Sequence, residues 1–147
     1  MVELQNLSKS QITALTAYGE ARGEPIEGIV GVLSVIHNRV EVSPRFGVGY
    51  HGVCLKDKQF SCWNPNDPNK KLLEIAAESL INGTQAIPRA LELCLLLADG
   101  VIRGIISDNT KGSNHYLTRK LYNEGTISWA KDKEPKALLG NHVFLKL

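Results

Sequence analysis

The sequence predicts a mainly helical protein of one domain, and three observations lead to this prediction. Four stretches carry apolar residues at helical spacing between recognisable start and stop signals. Two long segments rich in Gly, Pro, Asn and Asp, residues 43–69 and 106–136, connect or follow these stretches. The 147 residues, 43% of them hydrophobic, suffice for one core, and no repeat marks a boundary, so we expect a single catalytic domain over 1–147.

The first two predicted helices meet near Gly23. Ser8 and Gln11 form a capping-box pattern ahead of apolar residues at helical spacing. Gly23 is expected to end this first helix. Pro25 suits the first turn of the second helix, which the apolar spacing extends to Val40.

The second helix contains two small residues, Gly28 and Gly31. Glycine lowers the stability of a helix, so its presence there needs another reason. We expect a neighbouring element to approach this helix closely.

The other two helices have clear start signals. Asp67 and Pro68 begin one of them, and Gly83 ends it. The last helix starts at Pro88 and is apolar nearly all round, so we expect it to be the buried central helix. The C-terminal text NHVFLKL alternates and is expected to pair as a strand or to dock as a tail.

The two polar segments are candidates for a binding surface. Residues 43–69 are predicted to be irregular, yet they contain four aromatic residues, Phe46, Tyr50, Phe60 and Trp63. Loops of this length inside a domain are often functional. If both segments face the same side, they form the walls of a cleft.

Composition limits the possible partners. The formal charge is +2 and the basic residues are scattered, which gives no reason to expect nucleic-acid binding. The start, MVELQNLSKSQ, does not resemble a signal peptide, and the most apolar stretch is interrupted by Asp99, Gly100 and Arg103. Three cysteines are expected to be free buried thiols, although a bridge between Cys54 and Cys62 is an alternative.

The text YGEARGE contains two acids four residues apart, Glu20 and Glu24. Glu20 falls in the predicted last turn of the first helix, where the helix dipole disfavours a carboxylate. With burial beside aromatic rings, this position favours a protonated Glu20, which is what acid-catalysed cleavage of a glycosidic bond requires. The alternative is a solvated helix end in which Glu20, Arg22 and Glu24 form ordinary ion pairs.

The text YGEARGEPIEGIVGVLSVIHNRV, followed by FG, QFSCW, NHY, a tryptophan and a terminal GNHVF, resembles the cell wall hydrolase family typified by bacterial spore cortex-lytic enzymes, which also supplies phage endolysins. The resemblance runs from about Leu15 to Phe144, and its first block is the most specific. It implies a compact α+β fold similar to lysozymes and lytic transglycosylases, and an enzyme that cuts the glycan strands of peptidoglycan. It implies no cofactor and no metal.

The resemblance also implies roles for single residues. Glu20 matches the catalytic acid of the family, and Tyr116 of the NHY block is placed to reach the reaction centre. Residues implied to bind substrate are Glu24, Gln59, Phe60, Ser61, Trp63, Asn114, His115 and Trp129. For Glu24 an ion pair with Arg22 or Arg39 is an alternative, and Phe60 and Trp129 are alternatively core residues.

Other matching positions are expected to be structural. Asn38 and Arg39 match the helix end N-R-V, and His142 is expected to be a hydrogen-bonded structural histidine. The chain departs from the family pattern at Asn109, where a proline is usual, and at Ser113 and Asn114, where Ala and Thr are common. Gly47 also replaces a usual proline after Phe46, which predicts a looser loop.

Two mechanisms are compatible with these residues. If Glu20 is the only acid–base group, the enzyme is a lytic transglycosylase that forms a 1,6-anhydro product. If a second carboxylate takes part, with Asp57 and Asp67 as candidates, the enzyme is a muramidase of the lysozyme kind. The resemblance favours the first mechanism.

Three other classes provide alternatives. A zinc amidase or peptidase would need ligand spacing such as H-E-x-x-H, which the four histidines do not show. A cysteine peptidase would need a thiol beside a histidine in space. A non-catalytic carbohydrate-binding module would use more aromatic residues than the two Trp, four Tyr and three Phe of this chain.

These features together predict a phage lysis enzyme. We expect a monomer that is made in the host cytoplasm, does not insert stably into membranes and depends on a separate pore-forming protein to reach the wall. A processed piece of a longer exported protein is the alternative.

Overall fold

The structure, a computed structural model, describes residues 2–147, and these residues form six α-helices and three strands. The helices are α1 Lys9–Ala21, α2 Ile26–Glu41, α3 Gly49–Leu55, α4 Pro68–Asn82, α5 Arg89–Ile102 and α6 Arg119–Glu124. The strands are β1 His115–Thr118, β2 Ala137–Leu139 and β3 His142–Leu145. The mainly helical prediction is confirmed, and none of the helices in this range is both long and apolar enough to cross a membrane.

The core is centred on α1 and α2. In α1 every residue from Ile12 to Tyr18 is buried, and in α2 every residue from Gly28 to Ile36 is buried. Helix α1 packs against α2, α3, α4 and α5. The prediction that α5 is the buried central helix is wrong: one of its sides lies on α1, while Leu96 on another side is 73% exposed. An apolar sequence therefore does not by itself identify the helix that other helices surround.

Most predicted helix ends are confirmed. Ser8 Oγ accepts a hydrogen bond from the Gln11 backbone N–H at 3.0 Å, and the Gln11 side chain accepts one from the Ser8 N–H at 2.8 Å. Gly83 ends α4 in the left-handed conformation (φ 64°). Gly23 does not end α1 in this way: α1 ends at Ala21, and the Glu24 N–H donates to the Ala21 carbonyl at 3.0 Å, which turns the chain directly into α2.

The two polar segments contain more regular structure than predicted. Helix α3 and a 3₁₀ turn at Ser61–Trp63 lie within 43–69, and β1 and α6 lie within 106–136. These elements are three to seven residues long, too short to produce a periodic sequence signal. They are stabilised by tertiary contacts, as when β1 pairs with the distant β3.

The strands form an antiparallel sheet in the order β1–β3–β2. All four residues of β3 are buried, which confirms the predicted C-terminal strand, and Phe144 lies opposite Tyr116 of β1. Gly31 of α2 faces this sheet: a Cβ atom there would lie 2.5 Å from Phe144 Cζ and 3.1 Å from Leu139 Cδ1. The predicted close approach is therefore the packing of the sheet on α2.

We expect Gly31→Ala to destabilise the fold by about 1–3 kcal/mol, because the new methyl group overlaps a fully buried ring. Gly23→Ala is the matched control, since a Cβ at Gly23 meets nothing within 4 Å, and we expect its effect to stay within about 0.5 kcal/mol. Urea unfolding of the two variants and the parent measures both values. Equal stabilities for the two variants would contradict this packing.

Candidate active site

Three hydrogen bonds converge on the carboxyl group of Glu20, in the last turn of α1. Oε1 accepts a hydrogen bond from the Tyr116 hydroxyl at 2.7 Å. Oε2 accepts one from the Cys62 backbone N–H at 3.1 Å and one from Ser61 Oγ at 3.3 Å. Glu20 is therefore in contact with both polar segments, as the sequence predicted, instead of pointing into bulk solvent.

Gly19 explains how the Ser61–Trp63 turn comes so close to α1. A Cβ atom at Gly19 would lie 2.7 Å from Cys62 Cβ and 2.9 Å from both Cys62 Sγ and Leu73 Cδ1. Any larger residue would push the turn away and lengthen the bond from the Cys62 N–H to Glu20. The bond from the Cys62 N–H to Glu20 thus depends on the absence of a side chain at Gly19.

The Tyr116 side chain is fixed by rings of β3. Its ring lies edge-on to His142 at 5.2 Å between centroids and tilted to Phe144 at 5.9 Å. Burial raises the pKa of Tyr116 well above its ordinary value, and the nearby charge and hydrogen bond of Glu20 raise it further. Tyr116 therefore stays protonated and remains a donor to Glu20.

Glu24, the second acid of YGEARGE, contacts the turn before β3. Its carboxylate accepts hydrogen bonds from the Asn141 N–H at 2.7 Å and from Asn141 Nδ2 at 3.1 Å, and it lies 3.5 Å from His142 Nδ1. The ion pair with Arg22 or Arg39 weighed from sequence is not formed in residues 2–147. Burial raises the pKa of Glu24, but the two bonds from Asn141 and the nearby His142 together leave the pKa lowered. The observed contact of Glu24 is thus with the fold, and a contact with substrate stays a prediction.

Gln59 and Phe60 lie behind the surface that carries Ser61. Gln59 Nε2 donates to the carbonyl groups of Phe46 at 2.9 Å and Val53 at 2.8 Å, so its amide N–H groups are used inside the loop. Phe60 is buried, which agrees with the alternative that it is a core residue. Of the three residues predicted to contact substrate in the Q-F-S block, Ser61 is the exposed one, and its hydroxyl donates to Glu20.

Trp63 and Asn114 were expected to bind substrate, but their polar atoms bind other parts of the fold. Trp63 is buried, and its Nε1–H donates to Thr16 Oγ1 at 2.9 Å inside the core. Asn114 is buried and joins the chain end: its Nδ2 donates to the Leu147 carbonyl and its Oδ1 accepts from the Leu147 N–H, both at 2.9 Å. Both side chains support the walls of the site from behind.

His115 and Trp129 lie together, with their rings tilted to each other by 49°. Their centroids are 5.1 Å apart, and the Phe46 ring lies roughly perpendicular to His115 with 5.7 Å between centroids. Burial lowers the pKa of His115 to about 4, with the charges of Arg39 and Arg45 acting in the same direction, so the imidazole is neutral at neutral pH. Because successive side chains of a strand alternate between faces, His115 points away from the face on which Tyr116 meets Glu20. Substrate contact by His115 and Trp129 stays a prediction.

The helix-end residues Asn38 and Arg39 make structural contacts, as expected. Asn38 Nδ2 donates to Ser113 O at 2.9 Å and to Asp108 Oδ2 at 3.0 Å. Arg39 Nε donates to the Asn114 carbonyl at 2.8 Å. Helix α2 thereby fixes the backbone that leads into β1 and Tyr116.

The three thiols do not have the character of nucleophiles. Cys54, Cys62 and Cys94 are free and buried, which confirms the free thiols predicted from sequence. Burial raises the pKa of Cys54 to about 12 and that of Cys94 to about 11, and it raises that of Cys62 further. Within residues 2–147 no group of three or more His, Cys, Asp or Glu side chains is arranged to hold a metal ion.

A separate apolar groove lies beside α4. It has a volume of about 440 Å³ and is lined by residues including Val2, Leu4 and Ile75, and it does not include Glu20. The Glu20 site is instead an open, partly exposed surface between two segments. Such a surface suits an extended polymer better than a small molecule that must be enclosed.

Sequence reasoning missed the contribution of the backbone. It identified Ser61, but the shorter bond to Glu20 Oε2 comes from the Cys62 N–H, which no side-chain pattern reveals. It also did not assign Gly19, although a glycine directly before the candidate acid was a usable signal for close approach.

A carboxyl group at a helix end, fixed by donors from two facing segments, defines an acid–base enzyme on a lysozyme-like fold. The chain belongs to the cell wall hydrolase family, whose model matches residues 23–145. It is similar to the crystal structure of the catalytic domain of SleB from Bacillus cereus, with 25% identity, a TM-score of 0.60, and coverage of 94% of this chain and 89% of that one. It is also similar to the catalytic domain of the germination-specific lytic transglycosylase SleB from Bacillus anthracis, with 26% identity, a TM-score of 0.64, and coverage of 99% and 100%. No curated protein sequence matches the chain.

Glu24→Gln tests the anchoring of the turn before β3. We expect it to lower the free energy of unfolding at pH 7 by about 1–2 kcal/mol, because an amide accepts hydrogen bonds from Asn141 less strongly than a carboxylate. The folded-state pKa of Glu24 is lowered, so its stabilisation is present above the ordinary glutamate pKa and is lost as the pH falls through the folded value.

Urea unfolding between about pH 3 and pH 7 measures this effect, and the variant should lose less stability than the parent over that range. The matched control is Glu134→Gln, which removes an exposed carboxyl group that lies outside the helices, and its curve should run parallel to that of the parent. Parallel curves for the parent and Glu24→Gln would show that the Glu24 carboxylate does not stabilise the fold.

Proposed function

We propose that this cell wall hydrolase cleaves the β-1,4 bond between N-acetylmuramic acid and N-acetylglucosamine in peptidoglycan, as a lytic transglycosylase with Glu20 as its single acid–base group. The observation that carries the proposal is the Glu20 carboxyl group with donors from Tyr116, Cys62 and Ser61 on its two oxygens. Membership of the cell wall hydrolase family supports the substrate class. Similarity to a protein described as a lytic transglycosylase supports the reaction.

The reaction proceeds in two proton transfers. Glu20 first gives its proton to the bridging oxygen as the bond from that oxygen to C1 of the muramic acid breaks. The Glu20 carboxylate then takes the proton of the C6 hydroxyl of the same sugar while that oxygen bonds to C1. The products are a 1,6-anhydro end and a free 4-hydroxyl group, and Glu20 regains its proton without consuming water.

The three donors act on the carboxylate that exists between these steps. Each donor is in place before the reaction, so little reorganisation is needed when the negative charge forms. The Tyr116 hydroxyl keeps its proton because its pKa is raised by burial and by Glu20. The Cys62 N–H cannot ionise, so both principal donors persist over the working pH range.

A hydrolytic muramidase is the second candidate, and it requires another carboxylate beside the sugar. The sequence candidates were Asp57 and Asp67. Asp57 is exposed, and the Asp67 carboxylate accepts the Asn69 N–H at 2.8 Å as the N-cap of α4. These placements favour the single-glutamate reaction. A cysteine peptidase is disfavoured by the buried thiols with raised pKa values.

Glu20→Gln should reduce the digestion of purified peptidoglycan by roughly 10³-fold or more, because the amide has no proton to transfer. Tyr116→Phe keeps the ring and removes one donor from the site, so we expect a smaller loss of roughly 10²-fold. Loss of turbidity measures activity, and thermal unfolding confirms that both variants fold. An active Glu20→Gln variant would refute the proposed function.

Mass spectrometry of the digest separates the candidate reactions. We expect fragments with a 1,6-anhydromuramic acid end. A reducing muramic acid end would identify a hydrolase, and free peptides would identify a peptidase or amidase. Either result would contradict the transglycosylase reaction.

We also propose that the chain acts as a phage endolysin, made in the host cytoplasm as a monomer and released to the wall by a separate pore-forming protein. The proposal rests on the family resemblance, which includes phage endolysins. Tyr116, Ser61 and Glu20 are close enough to the surface to act on a wall polymer once the protein reaches it.

Expression in a bacterium tests this role. We expect lysis when a phage pore-forming protein is expressed with the chain, and intact cells when either protein is expressed alone. The Glu20→Gln variant with the pore-forming protein is the matched control and should not cause wall loss. Lysis by the chain alone, or its secretion without the pore, would contradict the role but not the glycosidase activity.

A further inference from the structure

His142 is a buried imidazole that lacks a hydrogen bond. It begins β3, is 8% exposed, and lies on the same face of the sheet as Tyr116 and Phe144. The hydrogen bond that the sequence predicted for His142 is not formed, because its buried Nδ1 atom has no hydrogen-bond partner among residues 2–147. A buried nitrogen without a partner costs free energy. Packing alone therefore does not explain a histidine at this position.

The group that faces Nδ1 of His142 is the Glu24 carboxylate. Glu24 Oε1 lies 3.5 Å from Nδ1, and the side chains of His142 and Glu24 are only 10% and 12% exposed. Burial lowers the pKa of His142, against the opposing effect of Glu24 and Glu20, so the ring is neutral at neutral pH. Because Nδ1 faces a carboxylate, it is the nitrogen that carries the proton of the neutral ring. Glu24 thus orients the imidazole.

The Glu24 carboxylate is itself held in one orientation. It accepts hydrogen bonds from the Asn141 N–H at 2.7 Å and from Asn141 Nδ2 at 3.1 Å. Two glycines leave just enough room for it: a Cβ atom at Gly28 would lie 3.1 Å from Glu24 Cβ, and one at Gly140 would overlap Glu24 Oε1. The imidazole of His142 therefore faces a carboxylate whose position is fixed.

The His142 ring in turn contacts the ring that donates to Glu20. The centroids of His142 and Tyr116 are 5.2 Å apart, with an angle of 82° between the ring planes. Phe144, which is fully buried, completes the cluster at 6.2 Å from His142. The Tyr116 hydroxyl donates to Glu20 Oε1 at 2.7 Å. Three successive contacts thus lead from Glu24 through His142 and Tyr116 to Glu20.

We propose that His142 is a positioning residue for the transglycosylase reaction: its imidazole, oriented by Glu24, holds the Tyr116 ring at the angle that brings the hydroxyl to Glu20. The proposal rests on the proposed function. An edge-to-face pair of rings has a preferred geometry, so a fixed imidazole restricts the tilt of the ring beside it. His142 acts through Tyr116 and makes no contact with the sugar.

The tilt of the Tyr116 ring matters because the hydroxyl lies at its far end, where a small rotation produces a large displacement. A misplacement of about 1 Å removes much of the benefit of a catalytic contact. Without His142, the hydroxyl should donate to Glu20 for a smaller fraction of the time. The turnover rate should therefore fall, while substrate binding, to which His142 does not contribute, should be unchanged.

The experiment measures kcat and KM of the full chain on soluble, uncross-linked glycan oligomers of peptidoglycan. His142→Phe keeps a ring beside Tyr116 and removes the Nδ1–H. His142→Asn keeps an N–H donor near the position of Nδ1 and removes the ring. Val143→Ala is the matched control, because Val143 is also buried in β3 but faces the other side of the sheet from Tyr116.

We expect both His142 variants to lower kcat by about three- to tenfold while KM stays within about twofold of the parent value. Val143→Ala should lose stability and keep its kcat. The decisive comparison uses the Tyr116→Phe background. There His142→Phe should lower kcat by less than about twofold further, because no hydroxyl is left to position.

Thermal unfolding is measured for every variant. A folded His142→Phe variant with the kcat of the parent would overturn the proposal, and so would an undiminished kcat loss in the Tyr116→Phe background. A loss of kcat in Val143→Ala as large as in the His142 variants would show that the stability of the sheet determines the rate. If Val143→Ala folds and neither His142 variant does, His142 serves the fold alone and the proposal is wrong.

The parent protein distinguishes this failure from failure of the proposed function. If the parent releases anhydro fragments and the folded His142→Phe variant turns over at the same rate, only the role of His142 is wrong. If the parent releases none, the proposed reaction itself is wrong.

Discussion

The structure depends on the convergence of two distant parts of the chain on one carboxyl group. The donors to Glu20 come from positions 41, 42 and 96 residues further along the chain. They meet because Gly19 allows the Ser61–Trp63 turn to lie against α1 and because β3 carries β1 to the other side of Glu20. Without either contact, Glu20 would be an ordinary glutamate at the end of a helix.

The two acids of YGEARGE have different surroundings, although four residues separate them. Glu20 is in the last turn of α1 and faces the turn and β1, while Glu24 follows the end of the helix and binds the backbone before β3. Because Phe144 of β3 lies opposite Tyr116, the anchoring of β3 by Glu24 also fixes the ring that donates to Glu20. The second acid thus supports the geometry of the first through the sheet.

Residues behind the site have the same kind of indirect role. Gln59, Trp63 and Asn114 use their polar atoms on backbone or core partners, and they hold the segments that present Ser61 and Tyr116. Sequence resemblance assigned these residues to the substrate because they lie in the QFSCW and NHY blocks that match the family. Adjacent residues in a turn or strand point to different sides. One residue of such a pair therefore faces the site while its neighbour in the sequence faces the core.

The sequence by itself determined the helices with strong end signals, namely α1, α2, α4 and α5, the strand at the C-terminus and the candidate acid Glu20. The helices and the strand follow from local physics, because hydrophobic periodicity and capping side chains act within a few residues. Glu20 was identified as the acid by the resemblance of its block to the family. Only the tertiary structure decided that α1 and α2 form the centre of the core, that β1 pairs with β3, and that a backbone N–H at Cys62 faces Glu20. These features depend on contacts between residues far apart in the chain, and such contacts leave no pattern in the local sequence.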